Sequence, residues 1–149
     1  MIGDVYTIPI KGAHHEYPHP HVVVIEISGS KESICVPAFS IEGTEVNLYL
    51  ANIESLGISK DIACVELDNS KVVNFTAKGY TGKRAYWLVE RFLKIDKSIL
   101  RESTLIGDMK PEGIAAIAKG LLALNEVRPE SFSKAILKRL RKAAKIEVE

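Results

Sequence analysis

All four histidines of this chain, His14, His15, His19 and His21, fall within eight residues. They read His-His-x-x-x-His-x-His. Imidazole titrates close to neutrality, so such a cluster can move protons, neutralise phosphate when charged, or ligate a metal. As a metal site the pattern lacks a nearby Cys and the helical His spacing that such sites use. No metal and no cofactor is therefore assigned. A pH-tuned contact to an anionic ligand and an ordinary polar loop are the remaining readings. If His19 and His21 continue a strand, both face one side of it.

A second group capable of chemistry is Ser40, whose hydroxyl ends an apolar run; a serine there also serves as a simple turn residue. Arg91, Lys94 and Lys97, beside Asp96, supply cations that could hold phosphates or lie in solvent. Tyr17 and Tyr80 fall in loop-like stretches where they could stack on bases. Trp87, inside an apolar segment, is expected in the core. Cys35 and Cys64 both sit in strand-like apolar runs and are expected as buried thiols of a reducing compartment.

The elements that must position these residues change character near residue 108. Before it the pattern is of strands and turns. Residues 3–9 alternate and are rich in β-branched types, and residues 10–18 form a polar loop. Residues 20–28 are a continuous apolar run fit for a central strand, and 33–39 are its return across a Ser28-Gly29-Ser30-Lys31 turn. Residues 46–56 fit a strand and a short helix equally. Residues 62–67 and 71–77 predict a hairpin across Asp68-Asn69-Ser70, residues 85–94 a strand, and residues 103–107 a short final strand. Pro111 then suits a helix N1 position, with Glu112 in the first turn and Asn125 as a stop. Ile114, Ile117, Ala118, Leu121 and Leu122 recur at helical spacing. A second helix starts near Pro129 or Ser131, with Phe132, Ile136, Leu140 and Ala143 as its apolar stripe. Strands first and helices last predict an α+β fold, with five to seven short strands forming a small barrel before residue 108 and two helices after it.

The 149 residues fit one domain. A formal net charge of +1 means that any attraction to nucleic acid must come from local placement of charge. No apolar run reaches the length of a membrane span, and the first residues do not read as a signal peptide, so a cytoplasmic location with no membrane partner is expected.

The opening Gly3-Asp4-Val5-Tyr6-Thr7-Ile8, the entry His19-Pro20-His21-Val22-Val23-Val24 and the close Val36-Pro37-Ala38-Phe39-Ser40 together resemble the MazF/PemK-like family of toxin endoribonucleases. That family opens with Gly-Asp-hydrophobic, enters its second strand through Arg-Pro and closes its third with Pro-x-Thr-Ser. Here His19 stands at the Arg position and Phe39 at the Thr position. Leu88 to Lys97 is similar to the family's Leu-x-x-Gln segment running into an Ile/Val-Asp turn, and Ile106-Gly107-Asp108 to its Ile-Gly strand. The resemblance covers roughly residues 2–124.

The resemblance implies an SH3-like barrel over residues 1–125, including a helix at 111–124, followed by a basic amphipathic helical extension over 126–149. It implies a type II toxin–antitoxin system and metal-independent cleavage of single-stranded RNA by attack of the ribose 2′-hydroxyl. The catalytic candidates are His19 and Ser40; the RNA-binding candidates are His14, His15, His21, Arg91, Lys94 and Lys97. RNA, an antitoxin protein and a second copy of the chain are the implied partners. The alternative is a catalytically silent module that binds nucleic acid or protein on the same scaffold. A toxin that acts on another enzyme through protein contacts is a further reading.

Overall fold

The computed structural model describes residues 1–8, 19–27, 31–41, 44–77, 80, 82–129 and 131–145. The fold is α+β: an eight-stranded antiparallel sheet, curled on itself, with two helices at the C-terminal end of the chain. Its strands are β1 (Asp4–Thr7), β2 (Pro20–Glu26), β3 (Glu32–Ser40), β4 (Val65–Asp68), β5 (Val73–Phe75), β6 (Arg84–Trp87), β7 (Leu93–Asp96) and β8 (Thr104–Met109). The order across the sheet is β4-β6-β3-β2-β1-β8-β5, with β7 also paired to β3.

The centre of β2, Val22 to Ile25, is apolar because the strand is paired on both edges, to β1 and β3, and covered on both faces. β3 is long enough to carry two partners on its other edge. Glu32–Cys35 pairs with β7, and Ala38–Ser40 with β6. Between them lies Pro37, which has no N–H to give to that edge; its carbonyl takes the Leu88 N–H at 2.8 Å. The partner chain therefore breaks opposite Pro37. The single strand predicted over 85–94 is instead β6, a 3₁₀ turn at Val89–Arg91, and β7.

The predicted hairpin of 62–67 with 71–77 does not form. Residues 62 and 63 belong to a one-turn helix, and β4 pairs with β6 while β5 pairs with β8. These two strands end the strand order on opposite sides, yet only the four-residue helix α3 (Asn69–Val72) joins them. So short a link can exist only if the sheet curls until its two ends approach. Asp68 caps that turn through the Ser70 N–H, at 3.1 Å, and buried Asn69 accepts the Trp87 indole N–H at 3.0 Å. On the far side, β5 crosses β8 so closely that a Cβ on Gly107 would lie 2.5 Å from the Asn74 carbonyl oxygen.

Helices also occur before residue 108, where none was predicted outright: α1 (Thr44–Ser55), α2 (Lys60–Ala63), α3 and α4 (Lys97–Glu102). The ambiguous stretch 46–56 is helical because Val46, Leu50 and Ile53 recur at i, i+4, i+7 and bury together against Tyr86 and Leu88. The eight strands exceed the five to seven predicted, since the break opposite Pro37 divides the run 85–94 into β6 and β7.

α5 (Pro111–Val127) begins with Pro111 in its first turn, as predicted, and runs two residues past Asn125. α6 (Lys134–Ala144) starts later than predicted because Ser133, not Ser131, caps it, accepting the Ile136 N–H at 3.3 Å. Its buried stripe is Phe132, Ile136, Leu140 and Ala144, with Ala143 only partly covered. Both helices cover one face of the sheet, and their apolar residues form one continuous core with Val22, Val24, Ile34, Val36 and the fully buried Trp87. A smaller cluster, including Ile8, Val23, Cys35, Ile95 and Leu100, lies on the opposite face.

Two outcomes follow from this packing. Leu140→Ala empties a fully buried position and should cost about 2–5 kcal/mol. Urea unfolding followed by the fluorescence of Trp87, the only tryptophan, should shift by that amount; an unmoved transition would make α6 an independent tail. Asn69→Leu strands the buried Trp87 N–H and should cost about 1–3 kcal/mol in the same assay, whereas Asn69→Leu with Trp87→Phe should recover part of the loss.

Candidate functional site

The register of β2 on β3 pairs His21 with Pro37. Continued outward by two residues, it sets His19 across from Phe39. Their rings are in contact, with centroids 3.9 Å apart. Residues 20 apart in sequence, at the two positions where the resemblance expects Arg and Thr, are thus neighbours. Both are half-buried. Phe39 packs on the small core built by α1, beside Tyr49 and Ile41.

His21 lies on the same face as His19 but inside it, 4% exposed. Its Nδ1 is 3.0 Å from the His19 carbonyl oxygen, so in the neutral ring that nitrogen carries the proton and donates it. Burial pushes the imidazole down to about 4, against the opposing effect of this hydrogen bond. At neutral pH His21 is an uncharged structural residue. The expectation that it contacts RNA phosphates is corrected on that ground: a buried neutral ring presents no cation to a ligand.

Ser40 ends β3 and is exposed. Its neighbours show which way it turns. Ala38 and its partner Trp87 belong to the main core, Phe39 and its partner Tyr86 flank the α1 core, and Ser40 pairs with Ala85, which returns to the main core side. Strand alternation therefore directs Ser40 away from the face that carries His19 and Phe39. The two catalytic candidates do not converge as an acid–base pair.

The candidate cations also separate. The Arg91 guanidinium lies 5.2 Å from the centre of the Tyr49 ring, and so beside the cluster on which Phe39 packs. Lys94 pairs with Ile34, five positions back along β3 from Phe39, or about 16 Å. The Lys97 N–H meets the Lys31 carbonyl, eight positions back, or about 26 Å. Lys94 and Lys97 therefore do not share a compact groove with His19. Tyr49 is the contributor that the sequence left unassigned; its place at i+3 from Val46 was the available signal.

His14, His15 and Tyr17 lie outside the described residues. Among the described residues no group of three or more His, Cys, Asp or Glu could hold a metal ion. Tyr80 stacks on Phe75, ring centroids 6.0 Å apart, and packs against the core. Both cysteines are buried free thiols, and burial pushes them up to about 12 for Cys35 and about 11 for Cys64, which removes them from nucleophilic chemistry at neutral pH. No described helix is long and apolar enough to cross a membrane. No known family model and no curated protein matches this chain.

The buried imidazole gives a pH signature. The unfolded chain binds a proton at His21 near the ordinary value of 6.5, and the folded chain only near 4. Its contribution is therefore complete above pH 6.5 and is lost as the pH falls towards 4, to a total of about 3 kcal/mol. His21→Gln cannot titrate. Urea unfolding from pH 7.5 to 4 should show the difference between wild type and variant shrinking or reversing through that window; a constant difference would place His21 in contact with solvent.

Proposed function

We propose that this chain is a MazF/PemK-like protein with an SH3-like barrel that acts on single-stranded RNA as a metal-independent endoribonuclease of the toxin–antitoxin type. The contact between His19 and Phe39 carries the reading. It brings together, from the entry of β2 and the end of β3, the two positions at which the resemblance expects Arg and Thr. The curled antiparallel sheet with its C-terminal helices supports the same scaffold.

In this reading the site binds by stacking and cleaves through one group. The Phe39 and His19 rings offer π-faces to unstacked bases, and Arg91 over Tyr49 adds a cation on the same side. His19 takes the proton of the 2′-hydroxyl as the oxygen attacks its own phosphate, and the imidazolium then protonates the departing 5′ oxygen. The products are a 2′,3′-cyclic phosphate and a free 5′-hydroxyl. A guanidinium keeps its charge and forked donors throughout, whereas a single imidazole alternates between roles. Turnover is accordingly slow. The wider system, an antitoxin protein and a homodimer, belongs to the same proposal.

One observation favours a second reading. Ser40 turns from His19, and His21 is buried and neutral, which leaves the proton transfers to His19. A silent nucleic-acid-binding module on this scaffold has the same geometry without the cleavage.

Incubation of mixed-sequence RNA with the protein in EDTA, followed by end mapping, separates the two. The expected result is weak cleavage leaving 2′,3′-cyclic phosphate ends, reduced by about 10²-fold in His19→Ala. Equal cleavage by both proteins removes His19 from the mechanism. Binding without cleavage by either, weakened in Phe39→Ala, establishes the silent module instead.

A further inference from the structure

At the other end of β2 from His19, seven positions or about 23 Å away, a groove of about 990 Å³ opens between α6, α5 and the start of the chain. Its floor is formed by the nearly closed Ile25 and Ile114, 2% and 4% exposed, and its accessible apolar surface comes from Ala135, the partly covered Ala143 and the half-exposed Ile2 at the rim. Its wall is cationic. Residues 134–145 hold six Lys and Arg and no Asp or Glu, in a chain whose 20 basic and 19 acidic side chains nearly balance as a whole. Among the described residues, no salt bridge joins a carboxylate to any of those six. Glu26, the acidic residue among the described residues that line the groove, is 3.1 Å from the N-terminal ammonium.

We infer that this groove is a docking site for an acidic amphipathic helix of a partner protein. The occupant must match two features together. An apolar lining favours Leu or Ile side chains over bases, since among the described residues no aromatic ring lines it to stack on. The cationic wall favours Asp and Glu on the flanks. β2 is paired on both edges, so an added strand finds no free backbone there, and recognition falls to side chains laid into a groove. α6 itself is not free to enter a membrane, because Ile136 and Leu140 are committed to the core. Arg139 holds the helix in place by donating to the Glu26 backbone carbonyl. The site is independent of the His19 chemistry, and its test requires no RNA cleavage.

The probe is a short fluorescein-labelled peptide with Leu at helical spacing and Glu between, titrated into the full chain by anisotropy. Saturable binding that weakens with salt is expected, with the largest shifts at the methyl groups of Ile2, Ala135 and Ala143 in the wild-type NMR spectrum. Lys138→Glu with Arg141→Glu, both at exposed positions, should weaken binding about tenfold. Ala135→Trp keeps every cation, fills the groove from an exposed lining position, and should weaken it similarly. Equal binding of a peptide with Ser in place of Leu would overturn the inference by reducing it to charge alone. Absence of saturable binding would overturn it, as would tighter binding of oligouridylate or phosphatidylserine vesicles that Ala135→Trp abolishes.

Discussion

The indole N–H of Trp87 reaches into the core and finds there the amide oxygen of Asn69, in the one helical turn that joins opposite ends of the strand order. Both residues are buried, and neither polar group has water to fall back on. The link between β4 and β5 is so short that the sheet must be curled for it to exist. The hydrogen bond fixes how it is curled, because it ties that link to β6, next to β4 in the sheet. The Asn69 N–H, bonded to the Lys83 carbonyl at 3.1 Å, secures the same junction from the backbone. With the sheet curled, its concave side becomes a space that α5 and α6 fill with Ile117, Leu121, Ile136 and Leu140.

Pro37 imposes a comparable constraint on the opposite edge. By withholding an N–H it divides the outer edge of β3 between β6 and β7. The intervening 3₁₀ turn then carries Arg91 out towards Tyr49 on α1, and Glu90 into an ion pair with Arg128 at 3.1 Å beyond α5. Phe92 follows and packs at a tilt against Phe132, ring centroids 4.7 Å apart. A single missing donor thus separates the cations that the linear sequence groups together, and it docks the segment before α6 at the same time. The functional surface is divided accordingly. His19, Phe39 and Arg91 lie towards one end of β3, while Lys94 and Lys97 lie along its other half.

Charge is distributed by the same logic. A net charge of +1 conceals a helix whose charged side chains are all basic. That helix is held by its apolar stripe and by the Arg139 bond to the Glu26 carbonyl rather than by ion pairs, which leaves the exposed Lys138, Arg141 and Lys142 facing outward. The two surfaces proposed for binding, the aromatic pair at the entry of β2 and the groove at its exit, are separated by the length of a strand buried on both faces.

The sequence by itself determined the two helices that follow the last strand, the central apolar run of β2, the burial of Trp87 and both cysteines, and the periodicity of α5. These depend on local pattern: a continuous apolar run, an i, i+3, i+4 spacing, a proline that suits a first turn. The tertiary structure decided what depends on partners distant in the chain. Whether 46–56 was helix or strand rested on a cluster with Tyr86 and Leu88 that short-range alternation does not encode. The strands around Asn69 look like a hairpin because turn residues lie between them; they part because each finds a better edge elsewhere, on β6 and β8. His19 and His21, two positions apart and alike in type, diverge because one stands at the mouth of a strand and the other beneath it. Ser40 and Phe39 are adjacent in the chain and turned to opposite faces by the pleat. Burial and facing are properties of the packed sheet, and those two properties decide which of the candidate residues can meet a substrate.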